Sequence, residues 1–120
     1  MDKAQAIHQF WSSFGLPAYD ANTVDPDAEM PYITYDVASG ALDEPLNLTA
    51  SLWYHSTSWK EISQKAELIS FVTRSHIPIA ISGGYLWVTE GRPFAQRMSD
   101  PDDMIRRIVI NITAEFLTAY

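Results

Sequence analysis

The clearest pattern along the chain lies between residues 45 and 73, where alternating apolar and polar residues pass directly into a stretch with helical spacing. Every second residue from 46 to 54 is apolar, which predicts a strand with one buried side. The predicted buried side consists of Leu46, Leu48, Ala50, Leu52 and Tyr54. We expect the contact between this strand and the helix that follows to form the centre of the core.

The predicted helix begins at Ser58 and continues to about residue 73. Ser58 lies three residues before Glu61, a spacing typical of a capping box, in which each side chain binds the backbone amide of the other residue. The predicted apolar stripe consists of Trp59, Ile62, Ala66 and Ile69, widened by Leu68 and Val72. A helix with one such stripe packs that face on neighbouring strands.

A second helical pattern opens the chain and leads into an acidic connection. Apolar residues at spacings of three and four predict a helix within residues 2–14, and Gly15 followed by Pro17 predicts its end. Its stripe consists of Ala4, Ile7, Phe10, Trp11 and Phe14. Residues 18–31 contain several acidic residues and two prolines with few aliphatic residues, so we expect a solvated connection there.

The remaining patterns predict strands. Residues 31–37 are β-branched and aromatic, residues 39–44 predict a turn, and residues 77–90 predict a hairpin that bends at Gly83 and Gly84. Residues 91–103 predict a long irregular link. A last strand follows, with Ile108, Ile110, Ile112, Ala114 and Phe116 on one side and Val109, Asn111, Thr113 and Glu115 on the other.

The order of these elements predicts a single α+β domain over residues 1–120. Runs of strands joined by short links favour a mostly antiparallel sheet, and the helices then cover one face in a two-layer arrangement. The chain has 120 residues, of which 47% are hydrophobic, and this is enough to form a core without disulfides.

Charge and composition narrow the function classes. The chain holds 8 Lys and Arg against 15 Asp and Glu, a net charge of -7, which disfavours binding to nucleic acid. It contains no cysteine, so thiolate metal sites and disulfides are excluded. No apolar run reaches the length that a bilayer demands, and no export signal is visible, so we expect a protein without a membrane partner that is in the cytoplasm while it is being made.

Candidate chemistry is sparse. The three histidines lie in different predicted elements without metal-ligand spacing, and the acidic pair Asp43 and Glu44 lies in a predicted turn. The cluster of Asp100, Asp102 and Asp103 lacks the ligand spacing of a calcium loop. We therefore predict no catalytic residues, no metal and no cofactor. A small metal-dependent enzyme that uses these three aspartates is kept as a distant alternative.

One cluster of arginines stands out before the last strand. Half of the basic residues lie between positions 92 and 107, beside residue types that are enriched at protein interfaces. The candidate interface consists of Arg92, Phe94, Arg97, Met98, Arg106 and Arg107. The alternative is a loop folded against its own domain, with its arginines paired to the nearby aspartates.

Two segments resemble a known family. The segments WYHSTSWKEISQKAELI and GGYLWVTEGRPFAQRMSDPDDMIRRIVINITAEFLTAY, preceded by FWSSFGLPAYDANTVDPDAEMPYITYDV, are similar to small tail-terminator or tail-completion proteins of long-tailed bacteriophages and prophages. The similarity extends over most of the chain. It depends on the length and order of the elements, because the family has no catalytic motif.

The resemblance implies a structural protein that forms a ring, usually of six subunits, on the last ring of the tail tube. Such a ring ends tube growth and offers the surface that docks on the connector of the head. The arginine segment then becomes a candidate contact with a neighbouring subunit or partner. A second candidate is the acidic loop with Asp20, Asp25, Asp27 and Glu29. The alternative within this class is another neck or head-to-tail joining protein.

Overall fold

The computed structural model describes residues 3–36, 46–75 and 78–118. The predicted turn at residues 39–44, with Asp43 and Glu44, lies outside the described residues, as does His76. Two helices and six strands are described. In chain order they are α1 Lys3–Ser12, β1 Ala18–Asp20, β2 Tyr32–Tyr35, β3 Leu46–His55, α2 Lys60–Arg74, β4 Ile79–Ile81, β5 Gly84–Met98 and β6 Ile105–Thr118.

The described strands form one mixed sheet in the order β1-β2-β3-β6-β5-β4, which is curled into a half-barrel. The fold is α+β, as the sequence predicts. The pairs β2–β3, β3–β6, β4–β5 and β5–β6 are antiparallel, and β1–β2 is parallel. The centre of the sheet is the long pair β3–β6, with a register that runs from Leu46 opposite Ala114 to His55 opposite Ile105.

The core confirms the alternation that the sequence predicts for the two central strands. Leu52 and Ile110 are both 0% exposed, and the residues two positions away on each strand are buried beside them. Both helices contribute to the same cluster. Its helical members are Ala6, Ile7, Phe10 and Trp11 from α1 and Ile62, Ala66 and Ile69 from α2, with Phe14 just after α1.

Two predicted stripe positions are wrong. Ala4 is exposed and Ala6 is buried in its place, because positions 6, 7, 10 and 11 form the continuous stripe of α1. On α2, Leu68 is 42% exposed, since the stripe through Ile69 continues to Thr73 instead.

The predicted capping box does not form. The helix α2 begins at Lys60, one residue later than a cap at Ser58 requires, and Trp59 occupies the N-cap position without a side-chain cap. The Ser58 hydroxyl accepts a hydrogen bond from the Lys60 amide at 3.1 Å instead. Glu61 is therefore the second helical residue, and a capping box needs its carboxylate at the third.

The predicted irregular link at residues 91–103 is largely strand. β5 continues to Met98 on the same partner β6, and the register shifts between Glu90 and Ala95. The four residues 91–94 bulge out of the ladder, and Gly91 lies so close to β6 that a Cβ there would be 2.8 Å from the carbonyl carbon of Asn111. The polar residues and Pro93 argue against a strand in the local sequence, and the pairing with β6 that stabilises it is a long-range contact.

The predicted connection at residues 18–31 also holds a strand at its start. β1 is only three residues long and pairs in parallel with β2, from Ala18 opposite Ile33 to Asp20 opposite Tyr35. The hairpin between β4 and β5 is confirmed, although its two linking residues are Ser82 and Gly83, since Ile81 is opposite Gly84. Gly83 has a φ of 82°, which only glycine adopts readily.

Candidate interaction surface

The first surface feature is a tryptophan flanked by two arginines, which we call the Trp59 cluster (Trp59, Arg97 and Arg106). The Arg97 guanidinium carbon lies 4.7 Å from the centre of the Trp59 ring, and that of Arg106 lies 5.3 Å from it. Arg97 is exposed, while Trp59 and Arg106 are half-buried. A guanidinium over an indole face is attracted by the ring electrons, so both charges are held in place.

The backbone brings these three residues together. Arg97 is opposite Ile108 in the β5–β6 ladder, so it lies on the same side of the sheet as Arg106, two residues before Ile108. Trp59 follows the end of β3, where Ser56 donates a backbone hydrogen bond to the Met104 carbonyl at 2.7 Å. The cluster therefore forms where β3 ends, α2 begins and the β5–β6 turn closes.

Backbone carbonyls fix the Arg106 side chain. Its Nη1 donates to the carbonyls of Asp103 at 2.9 Å and Ile105 at 3.1 Å, and its Nη2 donates to that of Thr57 at 2.9 Å. Its Nε is buried without a hydrogen-bond partner among the described residues. Carbonyl oxygens orient a guanidinium without neutralising it, so Arg106 keeps its full positive charge at this surface.

The second feature lies on the opposite side of the sheet and is called the Trp53 cluster (Trp53, Arg107, Ser51 and Thr34). The Arg107 guanidinium carbon lies 4.6 Å from the Trp53 ring centre, and Arg107 Nε donates to the Ser51 hydroxyl at 3.1 Å. Trp53 Nε1 donates to the Thr34 hydroxyl at 2.9 Å. The cluster lines a groove of about 340 Å³ that Val24 and Asp36 also border.

The predicted interface residues are therefore divided between the two sides of the sheet. Arg97 and Arg106 belong to the Trp59 cluster, and Arg107 belongs to the Trp53 cluster. Met98 is 39% exposed beside them. Arg92 is exposed in the bulge, whereas Phe94 packs against the core.

The aspartates near the arginines bind backbone amides of the turn between β5 and β6. Asp100 Oδ1 accepts the Asp102 amide at 2.9 Å, and Asp102 Oδ1 accepts the Met104 amide at 2.8 Å. Within the described residues, no carboxylate forms an ion pair with an arginine of either cluster, and the recorded ion pair, Arg74 with Glu90 at 3.9 Å, is on α2 and β5. The described residues therefore do not show the predicted pairing of these arginines with the nearby aspartates.

The acidic loop at residues 20–29 is shaped by its own carboxylates. Asp20 Oδ1 accepts the Asn22 amide and Asp25 Oδ1 accepts the Asp27 amide, both at 2.9 Å. These Asx turns hold the loop backbone without help from Asp27 or Glu29, which are exposed. The loop holds no Lys or Arg.

Two tyrosines of the core have perturbed acidities. Burial raises the pKa of the Tyr35 hydroxyl, and the Asp20 carboxylate adds to this. Burial likewise raises the pKa of Tyr54, with a contribution from Glu61. Tyr35 also hydrogen bonds through its hydroxyl to His8 Nδ1 at 2.8 Å, so this histidine has a structural contact.

The described residues contain no group of three or more His, Cys, Asp or Glu side chains arranged to hold a metal ion. None of the described helices is both long enough and apolar enough to cross a bilayer.

The sequence placed Trp59 on the apolar stripe of α2 and indicated neither of the two tryptophan–arginine contacts. One signal was present: Arg97 and Arg106 flank the turn sequence SDPDD, and pairing across such a turn brings them to one end of a hairpin. The contact of Arg107 with Ser51 joins residues 56 positions apart, and no local pattern indicates it.

Comparison with known proteins gives a likeness in fold. The chain matches no family model and no curated protein. Its fold is similar to that of a chain in the structure described as the virion of a native gene transfer agent (GTA) particle. The TM-score is 0.69 with 17% identity, over 95% of this chain and 93% of that chain. At this identity, the likeness establishes a shared fold.

Proposed function

We propose that this protein is a structural component of a phage-like virion, and specifically a tail terminator. The observation that carries the proposal is the shared fold with a chain of a gene transfer agent virion over nearly the full length of both chains. The resemblance of the sequence to tail-terminator proteins favours the more specific role. It is a non-enzymatic role that needs no cofactor.

In this role the protein forms a ring, of six copies on assembly, that caps the tail tube and ends its growth. The ring then offers the surface on which the head connector docks. The partners are a second copy of the chain, the tail-tube protein and the connector protein, with no sequence-specific contact to nucleic acid and no membrane. The protein assembles in the host cytoplasm and resides in the virion tail.

The surface chemistry supports an assembly role. The Trp59 cluster and the acidic loop carry opposite charge, and neither is neutralised by an ion pair within the described residues. Charged surfaces of opposite sign orient partners before they touch and suppress wrong pairings.

Within the domain, we also propose that both helices cover the same face of the sheet. Buried residues of α1 and α2 belong to one core cluster with the apolar sides of β3 and β6, which supports a two-layer arrangement. The chain of residues 1–120 would then fold as a single domain.

The second candidate is another neck or head-to-tail joining protein. The similar chain belongs to a virion, and a joining protein is a virion component as well. The two roles differ in what the protein binds. A terminator binds the end of a bare tail tube, whereas a joining protein of the head side binds the connector and leaves bare tubes unchanged.

Electron microscopy of the purified protein mixed with polymerised tail-tube protein tests the proposal. We expect a ring at one end of each tube and no further elongation when more tube protein is added. Tubes that keep growing, with no density at their ends, would refute the terminator role. Binding to isolated connectors in the same experiment would then favour the second candidate.

A further inference from the structure

We infer that neighbouring copies in the ring meet head to tail across opposite edges of the sheet, with the acidic loop of one copy on the Trp59 cluster of the next. This inference rests on the proposed function, because it names the contact that would close the ring.

The two surfaces lie at opposite edges of the same end of the sheet. The register aligns Tyr32 with Trp53, Trp53 with Arg107, and Arg107 with Met98, so one row crosses β2, β3, β6 and β5. The acidic loop enters β2 at one end of this row, and Arg97 precedes Met98 at the other. From β1 to β5 there are four strand spacings, about 19 Å along the curled sheet.

Both of these edges are open among the described residues. β4 pairs only with residues 84–86 of β5, so the segment Ala95–Met98 beyond the bulge has no described strand on its outer side. At the opposite edge of the sheet, β1 pairs with β2 and with no other described strand. A neighbouring copy can therefore approach either edge without displacing a described strand.

The Trp59 cluster has the chemistry to accept carboxylates. Two guanidinium groups lie on one indole ring, and like charges placed so close repel each other until an anion joins them. Guanidinium groups bind carboxylates through paired hydrogen bonds, and Arg97 is exposed to provide them.

The acidic loop has the chemistry to supply those carboxylates. Asp27 and Glu29 are exposed, and the Asx turns at Asp20 and Asp25 already shape the backbone that carries them. A segment shaped before binding loses less conformational entropy when it docks.

The symmetry of a ring selects a second copy as the occupant. A ring is built from heterologous contacts, in which one patch meets a different patch on the next subunit. A single copy carries the acidic loop at one edge and the two arginines of the Trp59 cluster at the other, in a cleft that Asp100 and Asp103 also border. With a net charge of -7, the protein as a whole repels nucleic acid, so the arginines of this cluster are better matched by the loop of another copy.

Charge reversal with mixing tests the contact. One variant carries Arg97→Glu and the other carries Asp27→Lys and Glu29→Lys, none of which removes a hydrogen bond within the described residues. Alone, each variant presents like charges across the contact, and we expect about tenfold fewer capped tubes than with wild type. Mixed in equal amounts, the two variants can alternate around an even-numbered ring, and capping should return to near the wild-type level.

Two controls accompany the mixing. Glu67→Lys makes the same kind of charge change at an exposed position of α2, and Arg97→Lys keeps the charge at the cluster. Glu67→Lys should cap tubes as wild type does. Arg97→Lys keeps the charge but loses the paired hydrogen bonds and the stacking on Trp59, so it should cap less often than wild type and more often than Arg97→Glu. Circular dichroism confirms that each variant is folded. Reversed variants that cap normally alone, or folded variants whose mixture fails to cap, would overturn the inference.

A cross-link provides a readout that does not depend on capping. The chain has no cysteine, so Asp27→Cys and Arg97→Cys introduced together supply the only thiols. Mild oxidation should then give a ladder of covalent oligomers, whereas a mixture of the two single variants should stop at dimers. Monomers alone from the double variant, in preparations where rings are visible, would also overturn the contact.

These outcomes separate the two proposals. If wild type caps tubes but neither the mixture nor the cross-link behaves as expected, the contact is wrong and the terminator role stands. If wild type leaves tubes uncapped, the terminator role is wrong, and the cross-link still reports whether copies meet through these edges.

Discussion

The two sides of the central strand pair β3–β6 differ sharply, although alternate residues of the same two strands form them. On the core side, Leu52, Ile110 and Ala114 are each 0% exposed. On the polar side, Thr49 donates to Asn111 Oδ1 at 3.0 Å, and Asn111 Nδ2 donates to the Pro93 carbonyl at 2.9 Å.

The difference shows that two separate tasks are carried by one stretch of backbone. The core side is stabilised by apolar area removed from water, which has no preferred direction. The polar side is stabilised by hydrogen bonds that fix particular side chains at particular positions. Substitutions on the first side should lower the stability of the fold most, and those on the second should lower it less, through the loss of individual contacts.

Truncation on the core side should have the largest effect. Ile110→Ala removes a completely buried side chain from the centre of the sheet and should lower the free energy of unfolding by about 2–5 kcal/mol. The half-buried neighbour Val109 provides the matched control, and Val109→Ala should cost clearly less. Urea denaturation measures both, and equal losses would contradict the distinction between the two sides.

A methyl group at Gly91 should have the next largest effect. The added Cβ would lie 2.8 Å from both the carbonyl carbon and the carbonyl oxygen of Asn111, so the bulge and β6 must move apart. We expect Gly91→Ala to lower the free energy of unfolding by about 1–3 kcal/mol, as overpacking usually does. Amide hydrogen exchange should show the loss of protection at Asn111 and its neighbours. Unchanged stability and exchange would show that the bulge adjusts freely.

Removal of Arg107 tests the polar side. Arg107→Ala deletes the contact with Trp53 and leaves the buried Ser51 hydroxyl without this donor, so the free energy of unfolding should fall by about 1–2 kcal/mol. Arg92 is exposed in the bulge, and Arg92→Ala should change stability by about 0.5 kcal/mol or less. Thermal unfolding of the two variants in parallel decides the matter, and similar melting temperatures would argue against a structural role for the Trp53 cluster.

The smallest effect that we expect is a loss of stability at alkaline pH that depends on Tyr54, a buried residue near the end of β3. Because the pKa of Tyr54 is raised in the folded protein, the neutral phenol is favoured there, and stability falls as the pH rises above about 10. The contribution is fully present below that pH. Tyr54→Phe cannot ionise, so its free energy of unfolding should fall less between pH 9 and pH 11. If Tyr54→Phe lost as much stability over this pH range as wild type, ionisation of Tyr54 would not contribute to the alkaline loss of stability.

Prediction from the sequence succeeded where a local pattern has one packed side. The alternation in β3 and β6 identifies the buried positions because a residue on the wrong side would place a polar group in the core. The same reasoning found the stripes of α1 and α2 with errors only at Ala4 and Leu68, which lie at the margins of those stripes.

It did not succeed where pairing joins distant residues. The extension of β5 past the bulge depends on the close approach of Gly91 to Asn111, and β1 is too short to show a period. The Trp59 cluster depends on the β5–β6 register and on the exact start of α2, which is one residue later than a cap at Ser58 requires. The acidic loop was found by composition alone, and its Asx turns fix a shape that composition does not describe.

The bulge at residues 91–94 has a consequence for the tendency of separate copies of the chain to aggregate. β4 covers only residues 84–86 of β5, so a straight strand from there to Met98 would offer a long row of amides and carbonyls to another strand, which favours aggregation. The bulge, with Pro93 lacking an amide hydrogen, interrupts that row and leaves only the short segment Ala95–Met98 beyond it. This edge is therefore less able to pair with a strand of another copy through its backbone.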